Sequence, residues 1–116
     1  MKTTTALLAL ATLSACQTPQ PAPGLSDVIE RPAEKALLAG MRAYDDAQYA
    51  EAEKQLNQAL AMGLGSAKDR ATANKLLAFV YCTSHRVPQC ESAFRAARQA
   101  DPAFALSRAE AGHPQW

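Results

Sequence analysis

The sequence predicts an all-α fold of two tandem helical hairpins followed by a short C-terminal capping segment. Three observations predict it. After Pro32, glycine and proline nearly vanish from the interiors of four stretches rich in Ala, Leu, Gln, Lys and Glu, the residues that favour helices. Within those stretches apolar residues recur at three-to-four spacing, and no alternating strand pattern competes. The breakers that remain, Gly63 and Asp101-Pro102, stand where stretches end.

The elements begin with an export signal over residues 1–15. Lys2 gives a basic start, Ala6 to Leu13 an apolar stretch, and Ser14-Ala15 the small residues a signal peptidase needs. Leu13-Ser14-Ala15-Cys16 resembles the lipobox of bacterial lipoproteins, which implies a mature chain beginning at a lipidated Cys16. An ordinary secretory signal with a coincidental Cys is the alternative. At roughly 0.8 kcal/mol per buried CH₂, several acyl chains together anchor a protein firmly. Gln17 stands where enterobacterial lipoproteins kept in the inner membrane typically carry Asp, so the expected address is the outer membrane, facing the periplasm. Residues 16–32 then form a linker in which Pro19, Pro21 and Pro23 alternate with other residues, an extended tether of about 3 Å per residue.

Removing residues 1–15 takes Lys2, so the 12 basic residues become 11 against 11 acidic ones. A near-neutral chain without a basic run and interleaved aromatics gives no reason to expect nucleic acid. No second apolar stretch approaches the roughly 20 residues of a spanning helix, which leaves the lipid as the expected membrane contact. The remaining 33–116 is sized for one small domain.

The first helix is predicted over Ala33–Asp46, with Pro32 at its start and Leu37, Leu38, Met41 and Tyr44 on its apolar face. The second runs over Tyr49–Met62, carrying Tyr49, Ala52, Leu56, Ala59 and Leu60, and Gly63 stops it. The third spans Lys68–Thr83 with Leu76, Leu77, Phe79, Val80 and Tyr81, and the fourth Pro88–Ala100 with Phe94 and Ala97 inward. Beyond Pro102, Ser107 and Glu110 have capping-box spacing, so one further helical turn is expected before Gly112.

Superposing the two halves places Ala52 on Cys90, Leu56 on Phe94, Ala59 on Ala97 and Gly40 on Ala78. Small, large and small residues recur in phase, with a small residue wherever a first helix must approach a second closely. The pattern resembles the tetratricopeptide repeat. The second copy carries Leu77, Ala78, Tyr81, Cys90, Phe94, Ala97 and Pro102 at the signature positions, whereas the first has Leu64 where the closing proline belongs. The period is 38 residues rather than roughly 34, and the excess falls in the Gly63-Leu64-Gly65-Ser66 loop. Two repeats are fewer than the three or more that usually stabilise such an array, so further support is expected.

Two features could supply it. Cys82 and Cys90 each lie about one turn from the connecting loop, so a disulfide is sterically reasonable in an oxidising compartment; both positions equally suit small buried hydrophobes. The second feature is the segment after Pro102, where Phe104 and Leu106 could cover the open end of the last hairpin and Trp116 could cap it or dock a partner. A metal site from Cys82, His85, Cys90 and His113 matches no established zinc spacing. Ser84-His85 and Asp45-Asp46 do not form catalytic geometry by adjacency. The inner groove of such repeats is lined by the first helix of each hairpin, here Leu37, Met41, Tyr44, Lys75 and Phe79, and peptide recognition is expected there if those residues are not simply core.

Three segments carry a narrower resemblance. Leu37-Leu38-Ala39-Gly40-Met41-Arg42-Ala43-Tyr44-Asp45-Asp46, Ala73-Asn74-Lys75-Leu76-Leu77-Ala78-Phe79-Val80-Tyr81-Cys82 and Leu106-Ser107-Arg108-Ala109-Glu110-Ala111-Gly112-His113-Pro114 resemble the TssQ family of type VI secretion-associated lipoproteins, with Asn74 in place of an expected His. The resemblance implies a non-enzymatic scaffold on an outer-membrane lipid anchor, partnered by envelope or secretion-system proteins. It implies no cofactor beyond the lipid on Cys16, and no small-molecule substrate. An assembly lipoprotein of a pilus or outer-membrane complex is the alternative reading, with a thiol or metal enzyme more remote.

Overall fold

The computed structural model describes residues 31–116, and all of them that form regular structure are helical. The export signal, Cys16 and the tether up to residue 30 lie outside the described residues. Four long helices follow in order: α1 Pro32–Asp45, α2 Tyr49–Met62, α3 Ala67–Thr83 and α4 Val87–Ala100, with a single turn, α5 Arg108–Ala111, near the end. α1 packs on α2 and α3 on α4, and α2 and α3 join the two hairpins. The order and pairing are those of two tetratricopeptide-like hairpins.

Pro32 opens α1, where its missing N–H is no loss. The buried face is small: Ala33, Ala36, Leu37, Gly40 and Ala43. This corrects the expected face, because Leu38 turns outward at 39% exposure while Met41 and Tyr44 lie at its edge. Size is what selects it. A Cβ on Gly40 would lie 2.7 Å from Leu56 Cγ and 2.8 Å from its Cδ2, so only a glycine lets α1 approach α2 this closely. Leu56 is fully buried between Ala52 and Ala59 on α2, while Tyr49 at the start of that helix stays half exposed.

Gly63 ends α2 in the left-handed region at φ +90°, a conformation that costs glycine little. Leu64 then turns inward and is buried, and the Arg70 guanidinium donates to its carbonyl at 2.8 Å. The inserted loop is thus pinned to the core and to α3. Ser66 caps α3 by accepting from the Asp69 N–H at 3.3 Å. α3 is buried on most sides, through Ala71, Ala73, Leu76, Leu77, Ala78, Phe79, Val80 and Cys82. A helix apolar nearly all round belongs in the middle of a bundle, and α3 contacts α1, α2 and α4.

Both hairpin turns are built alike. The Gln48 N–H donates to the Ala43 carbonyl at 2.8 Å and the Arg86 N–H to the Tyr81 carbonyl at 2.8 Å, each reaching back over a helix end as in a Schellman motif. The residue between, Ala47 or His85, takes a left-handed conformation at φ 59° or 61°. The 38-residue offset of the sequence repeat therefore holds down to the backbone hydrogen bonds. One ion pair spans the hairpins, with the Arg86 guanidinium donating to both Glu53 oxygens at 2.9 and 2.6 Å while lying 4.6 Å over the Tyr81 ring.

Candidate functional site

The residues expected to line the groove divide into two groups. Leu37 does not line it, since only 4% of its surface is exposed and it belongs to the core cluster. Met41 is half-buried at the core's edge. Tyr44, Lys75, Phe79 and Trp116 are brought together, with Phe79 as little exposed as Leu37, at 3%, and part of the same core cluster. The Tyr44 and Phe79 rings lie 6.2 Å apart, Lys75 Nζ stands 5.9 Å from the Phe79 centroid, and Trp116 stacks on Phe79 at 4.1 Å and 17°.

The Lys75–Phe79 face of α3, beside Tyr44 of α1, is therefore covered by the chain's own last segment. Its anchor is Glu110, which sequence reasoning assigned only to a capping box. The capping box is present: Ser107 Oγ accepts from the Glu110 N–H at 3.2 Å, and a Glu110 carboxylate oxygen accepts from the Ser107 N–H at 2.8 Å. The other carboxylate oxygen accepts from Lys75 Nζ at 2.9 Å. Trp116 Nε1 donates to the Glu110 carbonyl at 2.7 Å, and the His113 ring stacks on Trp116 at 3.9 Å and 8°. Glu110 thus holds α5, Lys75 and Trp116 in one network.

Charge reinforces the arrangement. Burial disfavours the ionised Glu110 carboxylate, but the hydrogen bond from Lys75 and those from Ser107 outweigh it and keep its pKa below the ordinary value. Tyr44 moves the other way, because burial, then its neighbours Tyr49, Glu110 and Asp45, push its phenol up. Beside the covered surface lies an open cleft of about 400 Å³ lined by Phe94, Phe104, Leu106 and Trp116, with Arg95 and Arg98 at its rim. Leu106 packs against the core, as the capping expectation has it, and Phe104 lines the open cleft beside Phe94.

Cys82 and Cys90 are joined by a disulfide, with Cα atoms 5.1 Å apart, inside the usual range for a bridge. Both are also buried, so the two expectations for these positions are met together. The bridge takes both sulfurs away from thiol chemistry and from the Cys82, His85, Cys90 and His113 metal set. His113 Nδ1 accepts from the Gln115 N–H at 3.1 Å. Among the described residues no cluster of three or more His, Cys, Asp or Glu could hold a metal ion, and no helix is long and apolar enough to cross a membrane. Compared with protein-family models, with curated proteins and with solved structures, the chain finds no match.

Proposed function

We propose that this protein is an outer-membrane lipoprotein that faces the periplasm, has no enzymatic activity, and serves as a protein–protein scaffold accessory to a type VI secretion system. The observation that carries this reading is the lipobox Leu13-Ser14-Ala15-Cys16 ahead of a proline-rich linker and a helical-hairpin domain. The Cys82–Cys90 bridge supports it, since disulfides persist in oxidising compartments such as the periplasm. The aromatic and cationic surface at Tyr44, Lys75 and Phe79 supports a binding role over a catalytic one, because its polar groups are spent on ion pairing and stacking.

Cell fractionation of the chain and of Cys16→Ser tests the anchor. The parent is expected in the outer-membrane fraction, and Cys16→Ser in the soluble periplasm with unchanged thermal stability and no activity in secretion. Full secretion activity from the soluble form would overturn the scaffold-by-anchoring reading. Periplasmic cross-linking of the membrane-bound parent is expected to recover secretion components; a clean recovery of other envelope proteins alone would remove the secretion assignment.

A further inference from the structure

The groove is occupied, and the way it is occupied describes a ligand. α5 makes no close backbone approach to any of the four long helices. The last segment is held instead by side chains: the Lys75–Glu110 ion pair, the Phe79–Trp116 stack, and the packing of Leu106 and Trp116 against the core. It is also organised internally, through the capping box and the bond from Trp116 Nε1 to the Glu110 carbonyl. A turn docked by one carboxylate and one indole has the properties of a bound peptide rather than of a wall.

We propose that residues 107–116 are a built-in occupant of the α1–α3 groove, and that the external ligand of this groove is a protein segment of the same chemistry, a carboxylate followed by an aromatic ring, which displaces them. The inference rests on the scaffold reading and names the regulation of that binding surface. Lys75 selects the carboxylate and Phe79, flanked by Tyr44, the ring. Arg95 and Arg98 line the adjacent cleft together with a single acidic residue, Glu91, a net positive lining that suits an acidic partner and gives it space to engage before Trp116 leaves. A segment that keeps the groove covered nine-tenths of the time weakens the apparent affinity of a competitor about tenfold, so binding is held in check until the partner is concentrated locally.

The test uses the full mature chain with Cys16→Ser for solubility, and as probe a fluorescein-labelled peptide of residues 105–116, acetylated and amidated, read by anisotropy. Glu110→Gln with Trp116→Ala in the protein opens the groove and is expected to tighten peptide binding about tenfold over the parent. Adding Lys75→Glu is expected to reverse that gain. Because Trp116 is the chain's single Trp, an unlabelled peptide with Trp116→Phe is expected to shift the parent's emission as the indole leaves its stack. If the double substitution lowers helix content, Glu110→Gln alone carries the same comparison with a smaller gain. Equal binding by parent and opened protein, or no binding by either, would overturn the proposal and leave the segment a structural cap. A parent dimer lost on Trp116→Ala would also overturn it, making the occupant a second copy of the chain. None of these outcomes bears on membrane attachment or cross-linking, so the two readings fail separately.

Discussion

The first and second hairpins share one turn geometry and hold their helices together by different means. In the first, α1 and α2 approach through Gly40, whose missing Cβ leaves room for Leu56, and nothing covalent joins them. In the second, Ala78 occupies the equivalent place, the disulfide ties α3 to α4 beside the turn, and Trp116 covers Phe79 from outside. One hairpin relies on close packing, with the Tyr44 and Tyr49 rings edge to face at 5.6 Å; the other adds a bridge and a cover. The difference follows from position, because among the described helices α3 contacts α1, α2 and α4 whereas α4 contacts α3 alone.

The steric half of this comparison is the easiest to break. Leu56→Ala should cost about 3 kcal/mol, since the side chain is fully buried and its loss leaves a cavity. Gly40→Ala alone should cost about 1 kcal/mol, as an overlap worth roughly 1–3 kcal/mol is partly offset by the better helix propensity of alanine. In the Leu56→Ala background the same Gly40→Ala should cost less, because the two side-chain atoms it would meet are gone and only the Leu56 backbone N, at 3.2 Å, remains close. Urea unfolding of the four proteins gives the coupling. Additive costs would mean that Gly40 serves something other than close approach.

The covalent half comes next. Cys82→Ala with Cys90→Ala should lower stability by about 2–3 kcal/mol, the value for closing so short a loop. Amide exchange should show the loss concentrated in α3 and α4, narrowing the difference between hairpins. Equal loss of protection in α1 and α2 would show that the hairpins unfold as one unit and that the bridge serves both.

Two ion pairs make the comparison sensitive to acid. The hydrogen bond from Arg86 holds the Glu53 carboxylate below its ordinary value of 4.5 against opposing burial, and Glu110 is likewise held low. A carboxylate with a depressed folded-state pKa contributes stability in full above the unfolded value and loses it as pH falls through the folded one. Stability should therefore decline below about pH 4.5, each pair accounting for at most about 1 kcal/mol at such exposed sites. Glu53→Gln should remove only its own share of the acid slope of unfolding while leaving the acid change in Trp116 emission intact, and Glu110→Gln should remove its own share together with that emission change. A single substitution that abolished both would show that the ion pairs are coupled through the body of the protein.

Helix positions were legible from composition and spacing; α2 falls on Tyr49–Met62 as expected, and the Ser107–Glu110 capping box was readable from two residues. The orientation of α1 was only half legible. Ala33, Ala36, Leu37, Gly40 and Ala43 follow the same three-to-four spacing as the larger residues beside them, and hydrophobicity favours the larger set whereas a close helix contact selects the smaller. That is why spacing alone groups Leu38 with Leu37 on the apolar face and leaves Leu37 open between groove and core, whereas the close contact buries Leu37 and turns Leu38 outward. Lys75 meets Glu110 and Arg86 meets Glu53 across 35 and 33 residues, and no local pattern encodes such distant pairings. The coverage of the groove rests on one of them, which is why a segment recognised as a cap could not be recognised as an occupant.

The left-handed turn residues were silent for a related reason. Ala47 gives no sequence signal for positive φ, yet it adopts 59° because the Gln48 N–H must reach the Ala43 carbonyl to close the turn. Alanine is strained there, whereas histidine, which fills the equivalent place at φ 61° in the second hairpin, is found more often in that region. Ala47→Gly should therefore raise stability by about 0.5 kcal/mol, the relief of strain being partly offset by the freedom glycine adds to the unfolded chain. His85→Gly should gain less or nothing. A urea midpoint that rises for Ala47→Gly and stays level for His85→Gly would show that the two turns are alike in geometry but unequal in strain, so that the hairpin lacking the bridge also has the less comfortable turn. Equal gains at both would assign the strain to the shared turn itself, and the difference between the hairpins would then lie wholly in Gly40, the disulfide and the segment that covers Phe79.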